Sequence, residues 1–251
     1  MHYRRTYDAK GFTPLDEINR NNVDGLRLVW AYSMRDNSRW VPTPVVANGI
    51  MYVAEGSGRV VALDVVTGDL VWSYERTYPE GITSYQRARA VTLFQDRIYW
   101  GTPDSYLVSL DARTGEVIWE VRTGDPLVGH GHTHPPLLAD GKILLGNAGG
   151  DILDGVRGAL RAFDPETGDL IWTFYTVPGG PGEPGWDTWP QRNQLPPLGG
   201  GWCGTRSVTT LNSGWSTLER ASRTRGHPRC AVAVMSCTPI PLWRSTLVRE
   251  K

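Results

Sequence analysis

Apolar and polar positions alternate along most of the first two thirds of the chain, in short runs bounded by Gly, Asn, Asp or Pro. Such period-2 runs between turn residues predict strands. Residues 43–47, 50–54, 60–64 and 70–74 read as four of them, with Asn48-Gly49 as the hairpin turn between the first two. The same grammar returns at 90–94, 97–101, 106–111 and 117–121, and again at 136–139, 142–146, 159–164 and 170–176. Residues 26–32 read as a further strand ahead of the first set, after an irregular opening broken by Gly11 and Pro14.

Each set closes on one motif. Ala62-Leu63-Asp64-Val65-Val66-Thr67-Gly68-Asp69-Leu70-Val71-Trp72 recurs as Ser109-Leu110-Asp111-Ala112-Arg113-Thr114-Gly115-Glu116-Val117-Ile118-Trp119. It recurs again as Ala162-Phe163-Asp164-Pro165-Glu166-Thr167-Gly168-Asp169-Leu170-Ile171-Trp172. A motif with a period of about 50 residues marks a repeat architecture. Four antiparallel strands per unit make the fold class all-β, a β-propeller of four-stranded blades. Asp and Thr are expected to bond turn backbone, Gly to supply positive φ, and Trp to fill the gap to a neighbouring unit. Trp30 stands where such a Trp belongs, without the turn motif before it.

In a meander of this kind the first-to-second and third-to-fourth turns share one rim. The second-to-third turns and the connectors between units share the other. Three features fall on that second rim: Arg87-Ala88-Arg89, His130-Gly131-His132-Thr133-His134, and Gly149-Gly150-Asp151 in an enlarged connector running from Asn147 to Gly158. Arg89 offers a planar fork for a carboxylate. Gly149 and Gly150 permit close backbone approach of a ligand, and Asp151 suits a hard cation such as Ca²⁺. The histidines read as solvated side chains beside Pro135-Pro136, with metal binding as the alternative.

Composition adds a split. The formal net charge is zero. Residues 1–187 hold 17 Lys/Arg and 24 Asp/Glu, whereas residues 188–251 hold 9 and 2. After the Gly/Pro-dense stretch from Pro178 to Pro190 the unit grammar stops. The basic tail lacks an aromatic or Gly-rich module, which excludes a nucleic-acid partner. Its three cysteines, Cys203, Cys230 and Cys237, are too irregularly spaced for a disulfide framework or a zinc site. No apolar run is long enough for a transmembrane segment, and no secretory signal peptide is read at the N-terminus.

Residues 3–190 resemble the N-terminal part of the pyrroloquinoline-quinone (PQQ)-dependent alcohol dehydrogenases of the methanol/ethanol type. The resemblance is carried by Arg4-Arg5-Thr6-Tyr7 with Thr13-Pro14-Leu15-Asp16, by the three Trp motifs, and by Gly149-Gly150 with Gly155-Val156-Arg157-Gly158. Phe174-Tyr175-Thr176-Val177-Pro178 with Pro181-Gly182-Glu183-Pro184 completes it. It implies an eight-bladed propeller, of which this chain would hold about three blades, with the quinone and Ca²⁺ or a lanthanide on its axis. It implies Arg89, Thr133, Gly149 and Gly150 as cofactor-binding residues and Asp151 as the metal ligand, where the family usually has Glu. It further implies a small-molecule alcohol substrate, a cytochrome c-type electron acceptor and a periplasmic location for the intact protein.

There are departures. The family's vicinal cysteine pair falls at Thr83-Ser84, and its cofactor-contacting Glu falls near Val41. The tryptophan floor, the metal-ligating Asn and the catalytic Asp of the family lie downstream, and nothing in the tail matches them. The expected division is therefore a partial propeller over 1–190 and an irregular, non-family tail over 191–251, with a change of reading frame between about 190 and 202. The expected function is an N-terminal fragment of a PQQ-dependent alcohol dehydrogenase, inactive alone, with a non-catalytic propeller scaffold for protein partners as the alternative.

Overall fold

The computed structural model describes residues 14–35, 42–82, 88–149 and 156–188, together with the backbone of three strands in the tail. The first unit comprises β1 (Val45–Ala47), β2 (Ile50–Glu55), β3 (Arg59–Asp64) and β4 (Leu70–Glu75). The second holds β5 (Thr92–Phe94), β6 (Arg97–Gly101), β7 (Tyr106–Asp111) and β8 (Val117–Arg122). The third holds β9 (Leu137–Ala139), β10 (Lys142–Gly146), β11 (Ala159–Phe163) and β12 (Leu170–Tyr175). Each unit is an antiparallel sheet with strands in chain order. The first strands begin later than the alternation predicts, because backbone there serves the connectors: Thr43 N donates to Arg89 O at 2.5 Å.

The closing motif folds identically in all three units. Asp64 Oδ1 accepts from the amides of Val66 (2.8 Å) and Thr67 (2.9 Å), and Thr67 Oγ1 accepts from Asp69 N (3.2 Å). Asp111 and Asp164 repeat the arrangement. Gly68, Gly115 and Gly168 sit at φ of +78°, +75° and +78°. A Cβ on each would lie 2.6, 2.5 and 2.8 Å from a ring carbon of Trp30, Trp72 and Trp119 respectively. The indole of one unit therefore rests on the bare glycine of the next. Its Nε1 donates to the carbonyl just after the motif Asp: Trp30 to Val65 (3.0 Å), Trp72 to Ala112 (3.0 Å) and Trp119 to Pro165 (3.3 Å).

The near-continuous apolar character of the inner strands follows from having a neighbour on both sheet faces. Ile98, Trp100, Val108 and Leu110 pack with Tyr52, Ala62 and Trp72 of the first unit. The alternate residues Tyr99 and Leu107 pack with Leu138, Ile143, Leu145 and Phe163 of the third. Leu137, Leu144, Leu160 and Ala162 with Trp172 repeat the forward-facing cluster on the third unit.

Residues 26–32 are corrected: among the described residues they pair with no strand. A strand needs a backbone partner, and alternation alone supplies none. Trp30, Tyr32 and Met34 still pack on Val53, Val61 and Leu63, so the indole slot is filled without a ladder. In the tail, β13 (Arg206–Thr210), β14 (Trp215–Glu219) and β15 (Ala233–Ser236) form a three-stranded antiparallel meander. The sequence there lacks the closing motif, although Val208, Thr209 and Thr210 favour extended backbone.

Candidate functional site

The two rims separate as the meander requires. On one, Val65 N donates to Gly49 O and Ala112 N to Asp96 O, which ties first-to-second turns to third-to-fourth turns. On the other, Arg76 N donates to Gly58 O, His132 N to Thr102 O and Thr176 N to Gly158 O, which ties connectors to second-to-third turns.

The connector between the second and third units builds most of this second rim. Asp125 Oδ1 accepts from Leu127 N (3.0 Å) and starts the single helical turn Pro126–Val128, which ends on Gly129 at φ +93°. The chain then runs beside the start of the enlarged connector. Gly131 bridges Ala148, with Ala148 N donating to Gly131 O at 2.8 Å. A Cβ on Gly149 would lie 2.0 Å from Gly129 O, and its φ is +114°. Only glycine fits that contact. Gly149→Ala is expected to cost about 3 kcal/mol from backbone strain and overpacking. Hydrogen exchange should show faster loss of the Ala148 amide proton.

Thr133 is nearly fully buried, with Oγ1 2.9 Å from His134 Nδ1. Burial, and after it the Arg89 cation, pushes the half-buried His134 down to about 4. The Arg89 charge thus reaches His134, the neighbour of Thr133. Its Nε is buried and has no hydrogen-bond partner among the described residues. The structure therefore brings Arg89, Thr133 and Gly149 to one rim. Gly150 and Asp151 lie outside the described residues, as do Val41, Thr83 and Ser84.

Two further residues hold this rim and carry no sequence signature. Asn147 is buried at the root of the enlarged connector: its Oδ1 accepts from Ala159 N (2.5 Å) and its Nδ2 donates to Arg157 O (3.0 Å). One side chain thereby pins both ends of the loop. His132 is the other, and here the reading of solvated histidines is corrected. It is 1 % exposed, with Nδ1 2.7 Å from Gly146 O and Nε2 2.6 Å from Thr123 Oγ1. A carbonyl only accepts, so Nδ1 carries the proton, while the single Thr123 hydroxyl proton has two acceptors within reach, Nε2 and Ser105 O at 2.9 Å. Burial, only partly offset by the Gly146 bond, holds its pKa down to about 3. Gly101 makes room for it, since a Cβ there would lie 2.9 Å from His132 Cβ. With both His132 nitrogens committed, the His run does not converge on one ion. Among the described residues no three His, Cys, Asp or Glu side chains gather as a metal site.

Beyond the third unit, Arg157 fastens the Gly/Pro stretch. Its Nη2 donates to Val177 O (2.8 Å) and Glu183 Oε2 (2.5 Å), and its guanidinium lies 4.0 Å from the Tyr175 ring centroid.

Tryptophan-docked, four-stranded antiparallel units in series define a β-propeller. More narrowly, residues 1–197 match the family described as glucose/ethanol/alcohol dehydrogenase, beta-propeller domain, and the chain belongs to this PQQ-dependent alcohol dehydrogenase family. It is 37 % identical over 194 residues to the dehydrogenase subunit of the quinone alcohol dehydrogenase of Gluconobacter oxydans, covering 73 % of this chain and 25 % of the relative. It is 38 % identical over 192 residues to quinohemoprotein alcohol dehydrogenase ADH IIB of Pseudomonas putida, covering 73 % and 27 %. The crystal structure of quinohemoprotein alcohol dehydrogenase from Comamonas testosteroni superposes with a TM-score of 0.79 at 30 % identity, over 87 % of this chain and 34 % of that one. A europium-containing methanol dehydrogenase gives 0.77 at 26 % identity, over 87 % and 42 %. The chain thus spans about a quarter of the length of the curated relatives it matches. Family membership favours the dehydrogenase reading over the non-catalytic scaffold.

Proposed function

We propose that this chain is an N-terminal portion of a PQQ-dependent alcohol dehydrogenase and contributes part of its cofactor rim. One observation carries the reading: the buried Nε–H of Arg89, without an acceptor among the described residues, shares a rim with Thr133 and Gly149. A buried donor without an acceptor costs about 1–3 kcal/mol, which a ligand bearing carboxylates or carbonyls relieves. The donor set therefore fits an acidic quinone. Arg89 would bind and orient its acidic edge, Thr133 would hydrogen-bond to it, and Gly149 would let backbone approach it. Gly150 would line it in the same way. Asp151 is the proposed ligand of a Ca²⁺ or lanthanide ion. When bound, the quinone supplies a hydride acceptor and the metal ion a Lewis acid beside it.

The family's catalytic Asp, tryptophan floor and metal-ligating Asn have no counterpart here, so the chain is proposed to be inactive alone. In the intact protein the substrate would be a small alcohol, the electron acceptor a cytochrome c-type protein, and the location the periplasm. We also propose that the frame changes between about 190 and 202; the family match ends inside that window, at residue 197. Translation of the other two frames should restore strand sequence of the family type; if neither does, that idea fails.

The functional test adds the quinone and Ca²⁺ to the purified chain, then an alcohol and an artificial electron acceptor. Quinone binding without turnover is expected. Arg89→Ala should weaken binding by about 10- to 100-fold, the size of a lost charge-assisted hydrogen bond. Robust turnover would sink the fragment reading, and absence of binding would sink the cofactor reading.

A further inference from the structure

In the first two units the residue just before the closing motif is a fully buried valine, Val61 and Val108. The third unit has Arg161 at the corresponding place. Arg161 shares a sheet face with Phe163, two residues on, which packs against Tyr99 and Leu107 of the second unit. Its side chain is therefore half-buried in the gap between the second and third units. Among the described residues it makes no hydrogen bond and no ion pair. Burial, partly offset by Tyr175, pulls its pKa below the usual range, and its charge reaches His132. Two hydroxyls stand beside it. Thr173 is its direct partner across β11 and β12, and Tyr175, opposite Ala159, follows two residues further on the same face. Neither hydroxyl has a hydrogen-bond partner among the described residues. Arg157 lies 4.0 Å from the centroid of the Tyr175 ring, but Glu183 already neutralises that cation.

We propose that Arg161, Thr173 and Tyr175 form a site for a small oxyanion of the phosphate class in the gap between the second and third units. A guanidinium drawn out of water without a counter-charge is costly, and the repeat itself shows that an apolar side chain fills this place. An anion repays that cost. The planar fork of Arg161 offers two parallel N–H groups to an oxyanion, and the Thr173 and Tyr175 hydroxyls offer further donors from the neighbouring strand. A tetrahedral anion has oxygens for the fork and for both hydroxyls at once. The site uses none of the residues proposed for the quinone, so it stands or falls apart from that reading.

The test titrates the full chain with inorganic phosphate, and in parallel with sodium chloride at equal ionic strength. Calorimetry reads binding, and the urea midpoint reads stability. Phosphate should bind at a single site and raise the midpoint, whereas chloride should not. Arg161→Val, which restores the residue of the other two units, should weaken phosphate binding by about 10- to 100-fold and abolish the rise in midpoint. Thr173→Val and Tyr175→Phe each remove one hydroxyl and should weaken binding by about three- to tenfold. No binding to the wild type overturns the proposal. So does an equal effect of chloride, which would mark simple screening, and so does undiminished binding in Arg161→Val. If Arg161→Val does not fold, the two hydroxyl variants decide, and unchanged binding in both overturns the site.

Discussion

Trp72→Ala is expected to destabilise the chain by about 3–5 kcal/mol, the range for emptying a buried large aromatic site. Trp72 is 8 % exposed and packs in the cluster that joins the first and second units. Its indole rests on Gly115 and its Nε1 holds Ala112 O. Replacement opens a cavity and removes one of the two donors to Ala112 O, leaving the Tyr52 hydroxyl at 3.1 Å. Trp72→Phe keeps much of the area and loses the bond, so about 1–2 kcal/mol is expected. The glycine side is the complementary test. In the wild type, Gly115→Ala should cost strain at φ +75° and a clash with the ring 2.5 Å away. In Trp72→Ala the clash term disappears and about 1–2 kcal/mol of backbone strain remains. Urea unfolding of the two single variants and the double variant measures the coupling. Additivity would show that the two residues do not meet.

The second large effect is acid sensitivity through His132. Its pKa is held at about 3 in the folded chain, against an ordinary 6.5. Above about pH 6.5 the ring is neutral folded and unfolded, and its contribution is fully present. As pH falls from about 6.5 to about 3, the unfolded chain takes up a proton that the folded chain refuses. Stability therefore drops by about 1.4 kcal/mol per pH unit over that window. His134, pushed to about 4, acts in the same direction over a shorter window. Asp64 and Asp111, lowered chiefly by backbone hydrogen bonds from their own turns, add a loss at the acid end. The difference between wild type and His132→Gln isolates His132. Unfolding midpoints at pH 7, 5 and 4 should converge as pH falls. Parallel curves would show that the ring is not shielded from protons in the fold.

The three units were legible because their grammar is local. Asp-x-x-Thr-Gly bonds to its own backbone, and its role could be read before any tertiary contact was known. Residues 26–32 misled for the complementary reason: alternation describes which faces are apolar, whereas a ladder requires a partner. His132 misled more deeply. A histidine between Gly131 and Thr133 looks solvated, and nothing nearby announces that Gly146, Thr123 and Thr102 close around it from two units. Arg89 and Thr133 were singled out by family resemblance. Meander geometry placed their connectors on one rim, but only the folded chain showed that the Arg89 charge reaches His134 and that its Nε has no acceptor among the described residues.

The sequence by itself determined the unit, its repeat and its docking device, since turn bonds, positive-φ glycines and indole spacing are encoded within a few residues of one another. It also determined which connectors share a rim, since strand direction alternates whatever the side chains are. Tertiary structure decided what those connectors do. It buried His132 between two sheets, anchored both ends of the 147–158 connector on Asn147, pressed Gly149 against Gly129 and joined Thr133 to His134. These outcomes depend on burial and on charges brought close by residues far apart in the chain, and neither quantity is a property of any local stretch of sequence.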